Sequence, residues 1–181
     1  MFLPFGILIA VLILLNSRGG VFYLQERVGR KGNLFNVIKF RTMTMNADKS
    51  GKLTVGMKDA RITKIGYFLR KNKLDEFPQF MNVLKGEMSI VGPRPEVKEY
   101  VDLYTEEQYK VLNVKPGITD YASLEYFTEN EILGNSNDPN KTYITEVMPA
   151  KLKLNQKYIE NPSLGQDILI IWKTFLKLLR K

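Results

Sequence analysis

The chain of 181 residues carries 27 Lys and Arg against 19 Asp and Glu, a net charge of +8, and 44% of its residues are hydrophobic. This composition is that of a globular protein with one core, and the positive charge indicates an anionic partner: nucleic acid, a phosphorylated small molecule or a membrane surface. Because the sequence has neither Cys nor His, disulfides, thiol nucleophiles, Ser-His-Asp catalysis and nearly all zinc sites are excluded. Any enzyme chemistry must use carboxylates, lysine, tyrosine or hydroxyls, and a metal would be a hard ion such as Mg²⁺.

The first element is apolar, because residues 1–15 (MFLPFGILIAVLILL) contain no charged side chain. As a helix they would reach about 22 Å, short of the roughly 30 Å hydrocarbon core of a bilayer. A signal peptide and a buried core helix are the alternatives, but the basic n-region and the small-residue cleavage site of a signal peptide are missing. We favour a membrane-inserted helix over residues 1–18, followed by a domain over residues 19–181.

Two extended segments, residues 21–28 and 34–40, predict a β-hairpin, since Gly29-Arg30-Lys31-Gly32-Asn33 between them has turn composition. Lys39 and Arg41 flank Phe40 and suit contact with a phosphate or nucleotide. A solvated strand edge with one core phenylalanine explains the same spacing equally well.

A polar loop is predicted for residues 46–58 and an amphipathic helix for residues 61–71, which places Arg70 five residues before Asp75. We expect Asp75 to cap the N-terminus of a second helix that stops at Lys85-Gly86. Its predicted apolar face consists of Phe77, Phe80, Met81 and Leu84.

Asp75 and Glu76 form an adjacent pair of carboxylates at this predicted helix start. Free N–H groups and the positive end of the helix dipole keep carboxylates ionised and attract phosphate. A purely structural role as a helix cap would explain Asp75. Capping does not explain the second carboxylate, Glu76, beside it. After a short strand at residues 88–91, Pro93-Arg94-Pro95 forms a rigid loop whose arginine suits bidentate phosphate binding. A purely structural proline turn is the alternative.

The remaining chain reads as a charged helix at residues 96–111, a turn at residues 115–119, an extended piece at residues 120–126 and a helix at residues 142–158. We predict that Val97, Tyr100, Val101 and Tyr104 face inward on the first of these helices. Asn161-Pro162 ends the last one.

Residues 167–181 (DILIIWKTFLKLLRK) predict a basic amphipathic helix with a tryptophan. This pattern is typical of a helix lying in a membrane interface, and a terminal helix docked on the core is the alternative. Lys173, Lys177, Arg180 and Lys181 occupy one side, and Ile168, Leu169, Ile171, Trp172, Phe175, Leu176 and Leu179 cover the other. Together these elements predict an α+β fold, a mostly helical single domain with a small N-terminal hairpin, a re-entrant type of membrane-inserted helix and a C-terminal interfacial helix.

Five motifs in this order resemble the bacterial sugar transferase family, the small monotopic phosphoglycosyl transferases that act on undecaprenyl phosphate. They are Lys39-Phe40-Arg41-Thr42-Met43, Leu74-Asp75-Glu76, the run from Asn82 to Ser89 (NVLKGEMS), Val91-Gly92-Pro93-Arg94-Pro95 and Lys115-Pro116-Gly117-Ile118-Thr119.

This resemblance implies transfer of a sugar-1-phosphate from a UDP-sugar to undecaprenyl phosphate, with release of UMP, as the first membrane step of surface glycan assembly. It also implies Mg²⁺, and attachment to the bacterial inner membrane with the catalytic domain on the cytoplasmic face. Membrane lipid and other glycan-assembly enzymes are the further expected partners. Nucleic acid is not expected, since that interpretation rests on the +8 charge alone and the cations are dispersed.

The resemblance also implies roles for individual residues. Asp75 is the nucleophile that carries a covalent phospho-sugar, and Glu76 is its partner in metal binding or proton handling, so that both are expected metal ligands. Substrate phosphates are expected at Arg70, Arg94, Arg41 and Lys39, with Pro93, Pro95, Pro116 and Gly117 supporting the motifs.

Two departures from the family pattern are present. Pro4 resembles the proline that breaks the family's re-entrant membrane helix, so the first half of that hairpin is expected to be missing and the chain to be a fragment or a truncated form. An inactive fragment that binds membranes through its basic helix is therefore the alternative function. Asp120-Tyr121 stands where many members have Gly-Trp, a difference that bears on the choice of sugar.

Overall fold

The computed structural model describes residues 3–47 and 59–179. This part of the chain contains ten α-helices and four short strands, joined by turns and loops. The strands are β1 (Phe22–Val28), β2 (Leu34–Phe40), β3 (Ser89–Val91) and β4 (Gly117–Thr119). The helices are α1 (Leu3–Asn16), α2 (Lys64–Lys71), α3 (Gln79–Leu84), α4 (Lys98–Val101), α5 (Glu106–Tyr109), α6 (Tyr121–Glu125), α7 (Glu129–Gly134), α8 (Pro139–Thr142), α9 (Met148–Glu160) and α10 (Leu164–Leu179). The predicted mixture of helix and strand in one domain is confirmed. Most of the polar loop predicted for residues 46–58 lies outside the described residues.

The predicted hairpin is confirmed: β1 pairs antiparallel with β2, with Phe22 opposite Phe40 and Val28 opposite Leu34. Its turn is a short 3₁₀ segment in which Lys31 and Gly32 adopt positive φ angles. A second, parallel pair joins β3 to β4, with Ser89 opposite Gly117.

A close approach of two backbones fixes the loop that contains Arg94. The Gly117 N–H donates to the Pro93 carbonyl at 3.0 Å, and a Cβ on Gly117 would lie only 2.2 Å from the Gly92 nitrogen. Glycine is required there because any side chain would separate the two segments. The contact brings the residues after β4 next to Arg94.

Three clusters of buried side chains hold the fold together. The largest contains Val111, Leu133, Tyr143, Val147, Met148 and Leu152, and a smaller one contains Val91, Tyr158 and Ile170. In the third, Ile9 and Ile13 of α1 pack on Phe40 of β2 and Leu69 of α2.

The rest of α1 is unusually apolar for an exposed surface. Its exposed side chains are Phe5, Ile7, Leu8, Val11, Leu12, Leu14 and Leu15. None of the helices within residues 3–47 and 59–179 combines the length and the apolar content needed to cross a bilayer. Insertion of this helix in a membrane and the division of the chain after residue 18 stay predictions.

Asp75 does not cap a helix, contrary to prediction. It lies inside a 3₁₀ turn, Leu74–Glu76, whose N-cap is Lys73 in the left-handed region at φ 56°. The following helix, α3, starts only after Pro78. Because proline has no N–H and its ring disfavours continuation from the preceding turn, Pro78 opens a new helix instead of extending the turn.

The predicted apolar face of α3 was also wrong. Its apolar side chains are largely exposed, with Leu84 at 88%, whereas Gln79 and Asn82 are buried. The reason is that Asn82 bonds the backbone of β2: its Oδ1 accepts from the Ile38 N–H at 3.0 Å, and its Nδ2 donates to the Asn36 carbonyl at 2.8 Å.

Two further elements differ from prediction because of caps. The helix expected at residues 96–111 is divided into α4, α5 and a 3₁₀ turn, since Thr105 and Gln108 form a capping box that starts α5. The extended piece expected at residues 120–126 is instead α6, capped by Asp120. The helix predicted over residues 142–158 contains a π-helical turn, Tyr143–Val147, before α9, and it ends at Asn161 as predicted.

The C-terminal helix α10 is confirmed as amphipathic and begins earlier than predicted, at Leu164. It docks through Ile170, which is fully buried, and through a 2.7 Å hydrogen bond between the Thr174 and Thr119 hydroxyls. Lys177, predicted on the cationic face, donates to the Leu124 carbonyl. The other face stays exposed, with Ile168, Leu169, Ile171, Trp172, Phe175 and Leu179.

Candidate active site

A cavity of about 1050 Å³ lies between the hairpin, the Leu74–Glu76 turn, the Pro93–Pro95 loop and helices α6, α9 and α10. It joins side chains that are far apart in the sequence. The six residues predicted to act in catalysis or phosphate binding all line it: Lys39, Arg41, Arg70, Asp75, Glu76 and Arg94.

Glu76 and Arg94 form a bidentate ion pair. Nη1 of Arg94 donates to Oε2 of Glu76 at 3.0 Å, and Nη2 donates to Oε1. Burial alone would raise the pKa of Glu76, but the charge of Arg94 and its hydrogen bonds outweigh burial and hold that pKa well below the usual range. The Glu76 charge in turn raises the pKa of Arg94. Both groups are therefore charged, and each fixes the orientation of the other.

Asp75 is held differently from its neighbour. Its side chain is 9% exposed, and Oδ1 has no hydrogen-bond partner among the residues that the structure describes. Burial, and after it the charge of Glu76, raises the pKa of Asp75, while the charges of Lys39, Arg70 and Lys73 oppose the rise. One carboxylate oxygen is thus free to attack an electrophile or to ligate a cation.

Lys39 lies on the hairpin side of the cavity beside Arg27. Nζ of Lys39 and Nη2 of Arg27 donate to the same atom, Oε1 of Gln25, at 3.2 and 3.0 Å. Burial, helped by the charges of Arg27 and Arg94, lowers the pKa of Lys39 to about 7. Arg27 also donates to Glu96 at 2.8 Å. Sequence reasoning missed the ion pair of Arg27 with Glu96, because the two residues are 69 positions apart and no local motif contains either one.

Arg70 and Arg41 have different surroundings. Nε of Arg70 donates to the Thr42 hydroxyl at 2.8 Å, and burial lowers the Arg70 pKa although the Asp75 charge opposes that change. The Arg41 guanidinium donates to backbone carbonyls that follow α1, those of Ser17, Arg18, Gly19 and Gly20. These contacts indicate that Arg41 closes the end of α1, and phosphate binding by it stays a prediction.

The predicted supporting prolines act through their carbonyl groups. Pro93 accepts from the Gly117 N–H at 3.0 Å, Pro95 accepts from Arg27 at 3.3 Å, and Pro116 accepts from the Ser89 N–H at 2.8 Å. Together they tie the Arg94 loop to β1, β3 and β4.

Asp120 is a further anchor that sequence reasoning missed. The side chain is fully buried; Oδ2 accepts from the Arg94 backbone N–H at 3.1 Å and Oδ1 from the Ser123 N–H at 2.5 Å. Its charge also contributes to the raised pKa of Arg94. An aspartate directly before a run of helix-forming residues is an N-cap pattern, and that pattern could have revealed α6.

The residues present could hold a divalent cation only together with phosphate oxygens of a bound substrate. Within the described ranges, no group of three or more carboxylates is arranged to hold a metal ion. Both oxygens of Glu76 bond Arg94, whereas Oδ1 of Asp75 is free. Because Mg²⁺ is usually held by one or two carboxylates together with substrate phosphates, the donors present suit such a shared site and not an all-protein cage.

Comparison with known proteins gives relatives along the whole chain. The UDP-N-acetylgalactosamine-undecaprenyl-phosphate N-acetylgalactosaminephosphotransferase of Aeromonas hydrophila is 38% identical over 183 residues, which cover 99% of this chain and 40% of the relative. The UDP-glucose:undecaprenyl-phosphate glucose-1-phosphate transferase of Escherichia coli (strain K12) is 36% identical, covering 93% of this chain and 35% of the relative. The exopolysaccharide production protein ExoY of Rhizobium meliloti (strain 1021) is 32% identical, covering 96% of this chain and 76% of the relative. The chain thus spans less than half of the first two relatives and most of the third.

The sequence model described as bacterial sugar transferase matches residues 1–181. The match covers every motif on which the resemblance was based, and it agrees with relatives that transfer sugar phosphates to undecaprenyl phosphate. This chain belongs to the bacterial sugar transferase family.

Proposed function

We propose that the protein transfers a sugar-1-phosphate from a UDP-sugar to undecaprenyl phosphate and releases UMP, with Asp75 as the nucleophile. The observation that carries this proposal is the free, buried Oδ1 of Asp75 in a cavity lined by Lys39, Arg70 and Arg94. The names of two relatives, which specify undecaprenyl phosphate as acceptor, support the substrates.

The proposed reaction has two steps. In the first, a carboxylate oxygen of Asp75 bonds the β-phosphorus of the donor, the bond from that phosphorus to the bridging oxygen breaks, and UMP leaves with the electron pair. In the second, a phosphate oxygen of undecaprenyl phosphate bonds the same phosphorus, and the Asp75 oxygen leaves as a carboxylate. Dividing the exchange in this way lets a soluble and a lipid-bound substrate use one site in turn.

The cations of the cavity supply what phosphoryl transfer needs most, namely stabilisation of negative charge on oxygens around phosphorus. Lys39 and Arg70 bind substrate phosphate oxygens, and Arg94 binds them from a loop that its prolines and Asp120 hold in place. Asp75 must be ionised to attack, and the charges of Lys39, Arg70 and Lys73 favour the ionised form, opposing the rise in its pKa that burial and the Glu76 charge cause.

Asp75 and Glu76 would hold Mg²⁺ at the proposed site, together with substrate phosphates. Bound there, it would neutralise charge on the diphosphate and on the departing UMP. Glu76 would share its carboxylate between the metal and Arg94, to which it is bonded here.

We further propose that the protein works at the cytoplasmic face of the bacterial inner membrane, in contact with lipid and with other glycan-assembly enzymes. The exposed apolar residues of α1 and α10 support the contact with lipid. The alternative, an inactive fragment that only binds lipid, is not favoured, since the residues expected to act in catalysis line one cavity.

The test is Asp75→Asn, which preserves size but removes the nucleophile. We expect UMP release from a UDP-sugar with Mg²⁺ and undecaprenyl phosphate to be lost, and intact-protein mass spectrometry to find a phospho-sugar adduct only on the wild type. Asp102→Asn is the control, since Asp102 is exposed and pairs with Lys98 away from the cavity. Unchanged turnover by a folded Asp75→Asn variant would refute the nucleophile.

A further inference from the structure

Two buried polar atoms in the cavity are not explained by phosphate transfer. Ser123 Oγ and Asn155 Oδ1 have no hydrogen-bond partner within the described part of the chain, and both residues line the cavity that contains Asp75. The Asn155 side chain is 4% exposed. Because a buried polar group left unpaired destabilises a protein, two of them in one cavity suggest a ligand that pairs them.

Both residues lie next to Arg94. The Asp120 carboxylate accepts from the Arg94 N–H with one oxygen and from the Ser123 N–H with the other, so these two backbone groups are separated by a single side chain. Helix α6, which carries Ser123, packs on α9, which carries Asn155. Asn155 also lines a small adjoining space with Pro93, Arg94 and Pro95. Ser123 and Asn155 therefore flank the arginine loop.

This position decides which part of the donor the two residues can reach. In the proposed reaction Arg94 binds the phosphates, and the sugar is bonded directly to the β-phosphate. The uracil is farther away, beyond the α-phosphate and the ribose. Groups that flank Arg94 on the cavity wall are therefore nearer the sugar than the base.

The chemistry of the two side chains suits a sugar. A hydroxyl and an amide can each donate and accept hydrogen bonds, as the ring substituents of a pyranose do. The same wall contains the ion pair of Lys151 with Glu129, at 2.7 Å and with side chains 14% and 24% exposed. Lys151 lies one turn before Asn155 on α9, which places this pair on the same side of the cavity.

We infer that Ser123 and Asn155 bind ring substituents of the donor's sugar and so select which sugar is transferred. This inference rests on the proposed function. Sequence reasoning gave no sugar, although it noted that the segment starting at Asp120 departs from the family pattern. The structure assigns that segment a physical task, because α6 is what brings Ser123 to the cavity.

The experiment compares Ser123→Ala and Asn155→Asp with the wild type. We measure kcat/KM for donor pairs that differ at one ring position, such as UDP-glucose with UDP-galactose and the two corresponding N-acetylhexosamine donors. The inhibition constant of UDP, which lacks the sugar, is measured in parallel. We expect the preference between paired donors to change about tenfold, the scale of one lost hydrogen bond to a substrate, with UDP inhibition unchanged.

Gln166→Leu is the matched control. Gln166 also has a buried oxygen, Oε1, without a partner among the described residues, but it does not line the cavity. We expect it to alter stability without altering donor preference. Donor-induced shifts of the melting temperature supplement turnover, so that binding is compared even where catalysis is slow.

Three outcomes would overturn the inference. Unchanged donor preference in both variants would mean that the two atoms pair with water or not at all. Equal weakening of UDP and UDP-sugar binding would assign the site to the uridine. A change matched by Gln166→Leu would indicate a general structural effect.

Wild-type protein that binds UDP-sugars but releases no UMP would contradict the proposed function and leave the binding comparison valid.

Discussion

Asp120 shows how one side chain can hold two segments of the candidate site together. Its carboxylate is fully buried and accepts from the backbone of Arg94 and of Ser123. In Asp120→Asn one oxygen becomes an amide nitrogen, which cannot accept, so one of these N–H groups loses its partner. We expect a loss of about 1–3 kcal/mol in stability and, because the Arg94 loop shifts, a rise in donor KM that exceeds the fall in kcat.

Steady-state kinetics and urea unfolding of Asp120→Asn measure both effects. Asp138→Ala is the control, because Asp138 caps α8 by accepting from the Lys141 N–H at 3.0 Å at an exposed position. It should lower stability and leave KM unchanged. Equal KM values for the two variants would mean that Asp120 only caps a helix.

Lys39 predicts a pH dependence of stability. Burial lowers its pKa to about 7 in the folded chain from 10.5. Between these values the unfolded chain binds a proton that the folded chain does not, so the free energy of unfolding rises with pH, by up to about 1.4 kcal/mol per unit. The Lys39→Met variant lacks this group and should show a flatter profile over that window.

Urea unfolding between about pH 7 and pH 9 compares the two proteins in the range where the Lys39 effect dominates. Higher pH is avoided because burial raises the pKa of Tyr143. Above about pH 10 the unfolded chain loses the Tyr143 proton while the folded chain keeps it, so the free energy of unfolding would fall with pH there. Lys64→Met, on the exposed side of α2, should keep the wild-type profile. Parallel profiles for the wild type and Lys39→Met would contradict the lowered pKa of Lys39.

At the level of elements, α3 packs through its polar side. Asn82 is fully buried and bonds the Ile38 N–H, the Asn36 carbonyl and Glu87. Asn82→Ala leaves these buried groups unpaired, and we expect it to lower the free energy of unfolding by about 2–4 kcal/mol. Leu84→Ala, at an apolar but 88% exposed position, should change it by less than about 0.5 kcal/mol. Urea unfolding measures both; the reverse order would mean that the apolar face of α3 is buried.

The elements that could be predicted from the sequence are those determined by residues within the element or directly beside it. The hairpin follows from its turn residues, and the amphipathic pattern of α10 follows from periodicity within the helix itself. The inward side of α3 could not be predicted, because Asn82 pairs with β2, 44 residues earlier at Ile38. In α6 the cause was local, an aspartate cap, and it was overlooked in favour of an extended segment.

For the whole molecule, motifs located the centre of the site but not its surroundings. Asp75, Glu76 and Arg94 could be named because they lie within short motifs, and the structure brings them into one cavity. The pairing of Glu76 with Arg94, the network of Arg27 with Glu96, and the positions of Ser123 and Asn155 all depend on packing between distant segments. No periodicity or spacing within one segment could have revealed them.

The distribution of exposed apolar side chains over the whole molecule leads to a test of membrane binding. Two extended groups of them lie on α1 and on the free face of α10, and the chain carries a net charge of +8. Trp172 is the only tryptophan of the sequence and is 56% exposed on α10. If α10 lies in the interface of anionic vesicles, we expect Trp172 emission to shift to the blue and to be quenched by brominated lipid. Zwitterionic vesicles should bind more weakly, because they lose the attraction to the basic residues.

The double variant Ile168→Ser and Phe175→Ser tests whether the free face of α10 drives this binding. Both side chains are at least half exposed, so the substitutions leave the core intact. Full burial of such a side chain contributes about 1.5–3 kcal/mol, and even partial burial of two should make vesicle affinity fall at least tenfold in the variant. Leu103→Ser removes a similarly exposed apolar residue outside both helices and should bind like the wild type. Trp172 emission that ignores vesicles, or equal affinity in all three proteins, would place the membrane contact away from α10.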